Sequence, residues 1–234
     1  MLKKISLIMV VLLMMVVPAF AKEAPAGTVV QVNGSSEKQI DPDVAKIHIS
    51  VNTLNTNIQK AKDNNTFNMD KVLSALKEQG VTDRDIKTDT YQIEPVYDYE
   101  KNSMPTLKGY RVTNRIEVTT AVEKVGILVN EATNAGANEI SSIRFEAKNA
   151  KDIKNEALED AVKDAMKKAN VIAGALNKKI ARVTMVNESG VYYHPVMLEN
   201  RAFKTAAMDS AAPSIAAGKI TVGANVQVTV ELAD

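Results

Sequence analysis

Residues 219–232 read KITVGANVQVTVEL. Ile220, Val222, Ala224, Val226, Val228, Val230 and Leu232 alternate with Thr221, Gly223, Asn225, Gln227, Thr229 and Glu231. Side chains of a strand point to opposite faces in turn, so a period of two predicts one long strand with a buried face and a wet face. Sheets that keep one face wet are antiparallel as a rule, with helices covering the other face. This stretch therefore predicts an α+β fold, a mostly antiparallel sheet with helices packed on one side.

The helix that covers such a strand is legible upstream. Ala157, Ala161, Ala165, Ala169 and Ala173 recur every four residues, flanked by Leu158, Val162, Met166 and Ile172. A ridge of small residues lets a helix lie close to its neighbour. Asn149 or a neighbour caps its start, Glu159/Lys163 and Asp164/Lys168 form i,i+4 pairs on its outer side, and Asn177 takes the left-handed position at its end. Ile180 to Glu188 reads as a strand with Val183 and Met185 inward. Ser189 to Gly218 shows no strand pattern and reads as a loop of about thirty residues. Loops that long in compact domains are functional or disordered. Met197, Leu198, Phe203 and Met208 give this one apolar anchors, so it is expected to act as a docking arm for another copy of the chain.

Earlier segments complete the architecture. In TVVQVNGSSEKQI, residues 28–40, the Asn33-Gly34 pair signals a turn or bulge. Asp41-Pro42-Asp43 interrupts, and AKIHISV then alternates with Ile47, Ile49 and Val51 on one face. A T-x-x-Q box at Thr56 and Gln59 starts a first helix, whose polar DNNTFN middle predicts a bend or break and whose stop is Gly80. Ile86–Tyr99 and Tyr110–Thr120 form a hairpin, with Tyr91, Ile93, Pro95, Tyr97 and Tyr99 on one face of its first strand. A second box, Thr120 and Glu123, opens a second helix that stops near Gly136, before a short strand at Ile140–Ala147. The sum is about seven strands and three helices. Helix, Gly, polar link and strand occur twice, at Met69–Ile93 and Glu123–Phe145, which suggests two related β-α-β units, expected as modules at residues 28–120 and 121–234, the latter holding the 189–218 loop.

Lys3 and Lys4, the apolar run Ile5–Val17 and the A-x-A pattern of Ala19 and Ala21 predict a secretory signal peptide over residues 1–21, followed by a linker at 22–27. The run is shorter than the roughly 20 residues of a membrane-spanning helix. No transmembrane segment is expected after cleavage, and the chain is expected to be periplasmic or secreted. With 29 basic and 28 acidic side chains overall, two of the basic ones in the leader, the chain lacks the clustered basic surface that nucleic acid requires. There is no Cys, so disulfides are excluded and packing alone holds the fold.

Chemistry is sparse. His48 on a polar strand face and His194 before Pro195 are isolated and read as surface residues without a zinc ligand set. Neither a G-x-S-x-G elbow nor a phosphate-binding glycine motif occurs, and Ser35 and Ser36 have no His partner nearby in sequence. Asp41 and Asp43 fit a turn-and-cap role. The acids Glu94, Asp98 and Glu100 lie on a Tyr-bearing strand, but an aromatic content of 4% with no Trp ill suits broad carbohydrate platforms. Tyr91, Tyr97 and Tyr99 are the candidate partner-binding patch. No catalytic residue, metal ligand or cofactor is assigned.

Several segments together resemble one family: DPDVAKIHISV with its P-D-x-A entry, GVTDRDIKT followed by PVYDY, then GYRVTNRIEV, EALEDAVKDAMKKANVIAGAL and AGKITVGANVQVTVEL, in that order. This is similar to the SIMPL-domain (DUF541) family of exported bacterial proteins, over about Val29 to Leu232. Two positions depart from its pattern, Ser36 and Asn177, where the family tends to have Gly. The resemblance implies two intertwined α+β modules, self-association, a link to envelope and oxidative-stress physiology, and no cofactor. The expected function is that of a non-enzymatic, self-assembling protein of the cell envelope. The alternative is an enzyme or small-ligand binder with a dispersed site under the 189–218 loop.

Overall fold

The computed structural model describes residues 27–99, 104–199 and 215–234. The predicted signal peptide and all of the linker but Gly27 lie outside them. Among the described residues, eight strands and three α-helices follow in the order β1 (Thr28–Ile40), β2 (Val44–Asn55), α1 (Ile58–Glu78), β3 (Ile86–Asp98), β4 (Thr106–Ala121), α2 (Val125–Ala135), β5 (Glu139–Glu146), α3 (Ala150–Ala175), β6 (Lys179–His194), β7 (Val196–Glu199) and β8 (Ile220–Ala233). They build two antiparallel sheets, ordered β1-β8-β6 and β3-β4-β2-β5-β7.

The alternating stretch is β8, and it is the central strand of the smaller sheet. All seven of its apolar alternates are buried, and with Ala157, Ala161, Ala165, Ala169 and Ala173 of α3 they form one core. The alanine ridge brings α3 against the sheet, and the contact is tightest at Gly34. A Cβ there would run into the Ala161 carbonyl oxygen and the Ala165 backbone. Gly34 is therefore neither turn nor bulge: β1 pairs with β8 in unbroken register from Thr28↔Leu232 to Ile40↔Ile220. Ser36 puts its hydroxyl to use in the same contact, donating to the Ala157 carbonyl (2.7 Å) and accepting from the Ala224 amide (3.2 Å).

The larger sheet buries Ala45, Ile47, Ile49 and Val51 of β2 with Val118, Ile143 and Phe145 under α1 and α2. Helix α1 is continuous through its polar middle. The reason is Asn65, fully buried, whose amide donates to the carbonyls of Val51 (2.8 Å) and Val112 (3.1 Å) and so pins the helix to β2 and β4. Both expected capping boxes are displaced. Asn57, not Thr56, caps α1 by accepting from the Lys60 amide, and Thr120 stays within β4 while a short 3-10 turn leads into α2. Asn149 holds the cap position of α3 without a side-chain cap bond. Gly80 (φ 84°) and Asn177 (φ 53°) do take left-handed positions at helix ends.

The two sheets share the chain throughout. Strand β1 pairs with β8, and β5 pairs with β2, so each sheet draws on both sides of residue 120. Two of the crossings between sheets are short and bonded. At Asp41-Pro42-Asp43, the Asp43 carboxylate accepts the Lys148 amide (2.8 Å) and the Asp43 amide donates to the Glu146 carbonyl (3.2 Å). At Pro195 one residue separates β6 from β7. There the Tyr193 hydroxyl accepts the Ala147 amide (2.7 Å), and Val196 packs against both cores. The expected loop from Ser189 therefore begins as strand: β6 runs to His194 and β7 follows. Val183 and Met185 are not inward but 44% and 62% exposed, because Ala181, Thr184 and Ser189 sit at register breaks that turn β6 as an edge strand.

Gly34→Ala is expected to cost about 3 kcal/mol, since the added methyl meets backbone atoms that have nowhere to go. Gly174→Ala, with nothing within 4 Å of the new Cβ, is expected to stabilise α3 by about 1 kcal/mol. Urea unfolding midpoints of the two variants check this pair, and a tolerated Gly34→Ala would contradict the close approach of α3.

Candidate functional site

Two sheets present four edges, and an edge strand offers unpaired backbone groups to another chain. The edge of β1 is covered from α3. Asp164 accepts the Ser35 amide (2.9 Å), and Lys168 donates to the Asn33 carbonyl (3.0 Å) and to Asp164 (2.6 Å). The edge of β6 is broken by its three irregularities. That leaves β3 and β7 of the larger sheet.

Strand β3 carries the more distinctive surface. Its Ile93 lies opposite buried Val112 and its Tyr91 opposite Asn114, so both face the α1 side of the sheet. Helix α1 packs on β2 and β4 and leaves this margin open. Tyr91, Ile93 and Tyr97 are accordingly 51%, 36% and 44% exposed, and Tyr99 just past the strand is 75% exposed. Pro95 removes one donor from the edge, so contact there relies on side chains more than on a continuous ladder. The three tyrosines expected to form a patch are thus exposed along one margin.

The second expected group divides. Met197 is 45% exposed on β7, opposite Arg144. Leu198, expected as a docking anchor, lies opposite buried Ile143 and packs against the larger core instead, because strand alternation turns it inward. Phe203 and Met208 lie outside the described residues.

The polar face of the larger sheet holds a row that no sequence pattern reveals. His48 Nδ1 is 2.9 Å from Ser142 Oγ and its Nε2 is 3.2 Å from Glu117 Oε2, the three lying side by side on β5, β2 and β4. The order serine, imidazole, carboxylate is that of nucleophilic hydrolases. Here the strand carrying Ser142 is laddered on both sides, to β2 and β7, so its own backbone is committed to the sheet. Neighbouring rows are zipped the same way. Arg115 Nε donates to buried Ser50 (3.1 Å) and reaches Asp89 and Glu139, while Lys46 pairs with Glu146 (2.9 Å). The row is a brace across three strands. Among the described residues no group of three or more His, Asp or Glu could hold a metal ion.

Shifted ionisable groups mark structural junctions. Hydrogen bonds from the Thr82 hydroxyl (2.7 Å) and Thr82 amide (3.0 Å) hold the Asp85 carboxyl below its ordinary range and knot the turn from α1 into β3. Lys168, then the Ser35 amide, lowers Asp164. Burial raises the Tyr193 hydroxyl at the crossing between sheets.

Comparison with known proteins gives a consistent picture. The SIMPL family, described as a protein of unknown function (DUF541), matches residues 30–230. The chain is 31% identical over 226 residues to the 26 kDa periplasmic immunogenic protein of Brucella melitensis, covering 92% of this chain and 90% of that protein. It is 28% identical over 178 residues to the uncharacterized protein YggE of Escherichia coli, covering 76% and 72%. The corresponding protein of Edwardsiella ictaluri is 27% identical over 175 residues, covering 74% and 71%.

The Asp164 contact gives a pH signature. A carboxylate with a lowered native pKa contributes stability that is complete above the ordinary carboxylate range and is lost as pH falls through the lowered native value. Asp164→Asn is expected to reduce the urea midpoint at neutral pH and to match the native chain in acid. A gap of the same size at both pH values would show that Asp164 acts without its charge.

Proposed function

The chain belongs to the SIMPL family, and on that footing we propose that it is a non-enzymatic periplasmic protein that assembles with copies of itself at the cell envelope. The observation that carries this reading is the Tyr91–Ile93–Tyr97 margin, apolar, exposed and set on one of two edges left open among the described residues. Aromatic side chains bring large contact area at low entropic cost and dominate interface energies. Met197 on the other open edge adds a second apolar contact. Phe203 and Met208 belong to the same proposed self-association surface. Exported relatives named as periplasmic support the compartment.

Assembly at the envelope suits a protective role, and the family resemblance points to envelope or oxidative-stress defence. A strain lacking the protein is then expected to be more sensitive to peroxide and to envelope-perturbing agents. Unaltered sensitivity would remove this part of the proposal.

Sedimentation of the mature protein at micromolar concentration is expected to give a species larger than one chain. Tyr91→Lys combined with Tyr97→Lys is expected to weaken association by at least about tenfold, with an unchanged thermal midpoint because both side chains are exposed. A native protein that sediments as a single chain, or a double variant that assembles as before, would overturn the reading.

A further inference from the structure

At the β1 side of the three-stranded sheet, where Lys168 of α3 reaches over the strand edge, lies a cleft of about 430 Å³. Asn33 and Ser35 of β1, Asn225 and Gln227 of β8, Ser189 of β6 and Lys168 of α3 supply its side-chain polar groups, with Gly34 and Val226 between them. The lining is amide and hydroxyl almost throughout. Its one charged group is already committed: Lys168 sits 2.6 Å from Asp164 and donates to the Asn33 carbonyl. No carboxylate lines the cleft. A cationic ligand would lose water there without gaining an opposite charge, and an anion would meet only Lys168, which Asp164 already pairs. Amides and hydroxyls, by contrast, both donate and accept, which matches groups that do the same. Gln227 Nε2 and Asn33 Oδ1 are 3.3 Å apart, a long bond that leaves their remaining capacity turned to solvent.

One row along the sheet, an aromatic ring borders this lining. Tyr192 crosses the strand at Gly223, where a Cβ would collide with its ring and hydroxyl. Its hydroxyl is tied to Glu37 Oε2 (3.2 Å) and approaches the Ser36 carbonyl (3.4 Å), and the His194 ring lies 5.4 Å away, centroid to centroid. The ring is thus fixed flat against the sheet, beside a field of neutral hydrogen-bonding groups.

We propose that this cleft binds a neutral saccharide, its hydroxyl groups on Asn33, Ser35, Asn225 and Gln227 and its C–H face toward Tyr192. The low aromatic content of the chain rules out a broad stacking platform, and this site uses a single ring. The site lies on the smaller sheet, away from β3, and does not depend on the assembly reading.

The test is saturation-transfer NMR and calorimetry on the intact protein with maltotriose, tri-N-acetylglucosamine and, as a charged counterpart, glucuronic acid. Saturable binding of a neutral probe is expected. Gln227→Ala and Asn225→Ala are each expected to weaken it about tenfold with sedimentation unchanged, and Thr88→Ala on the other sheet is expected to leave it intact. If either variant lowers the thermal midpoint, Asn33→Asp, which keeps the side chain's size while adding charge, replaces it and is expected to give the same loss. Absence of saturable binding by both neutral probes overturns the proposal. So does binding that these variants leave unchanged, or glucuronic acid binding as tightly as the neutral sugars.

Discussion

The central strand of the smaller sheet, β8, is the last described element, far in sequence from its partner β1. Strand β8 pairs with β1 on one side and β6 on the other, and α3 lies on the face it completes. Before β8 arrives, β1 and β6 have no neighbour in that sheet, and the alanine ridge of α3 has no wall to pack against. Closing a loop of this length costs only slightly more entropy than closing a shorter one, but it must be met before any of the contacts it permits are gained. The alternation in residues 219–232 is as regular as it is because every second side chain has to fit that gap at once.

Where one physical cause acted alone, the fold was legible from the residues. The period of two in β8, the four-residue alanine spacing of α3 and the left-handed stops at Gly80 and Asn177 each follow from a single local rule. Legibility failed where a distant partner decided. The Asn33-Gly34 pair looks like a turn, yet α3, more than a hundred residues away, is what requires Gly34. The polar middle of α1 looks like a break until Asn65 meets the carbonyls of β2 and β4. Strand β6 is not legible beyond Glu188 because its register breaks at Ser189, which erases the period that defines a strand.

The surface followed the same division. Tyrosines on one face of an edge strand were visible in the sequence, and they are exposed. Leu198 could not be separated from Met197 without knowing that β7 exists and which way it faces. The row Ser142–His48–Glu117 and the cleft between β1 and β8 depend on strand register, which juxtaposes residues 69 to 194 positions apart. No local pattern encodes such neighbours. Charge placement tells a related story: Asp164 and Lys168 read as an ordinary helical pair, and the structure adds that the pair shields the open side of β1.

The single-residue crossing at Pro195 bears on whether the protein is divisible. Val196 touches both cores, and Tyr193 ties β6 to Ala147 just past β5. A chain severed near residue 120 leaves β1 without β8 and β5 without β2. Neither fragment holds a whole sheet, so loss of structure in one core withdraws strands from the other. The two cores are therefore expected to unfold together. The repeated order of helix, Gly, polar link and strand thus lies in two sheets that each draw on both sides of residue 120.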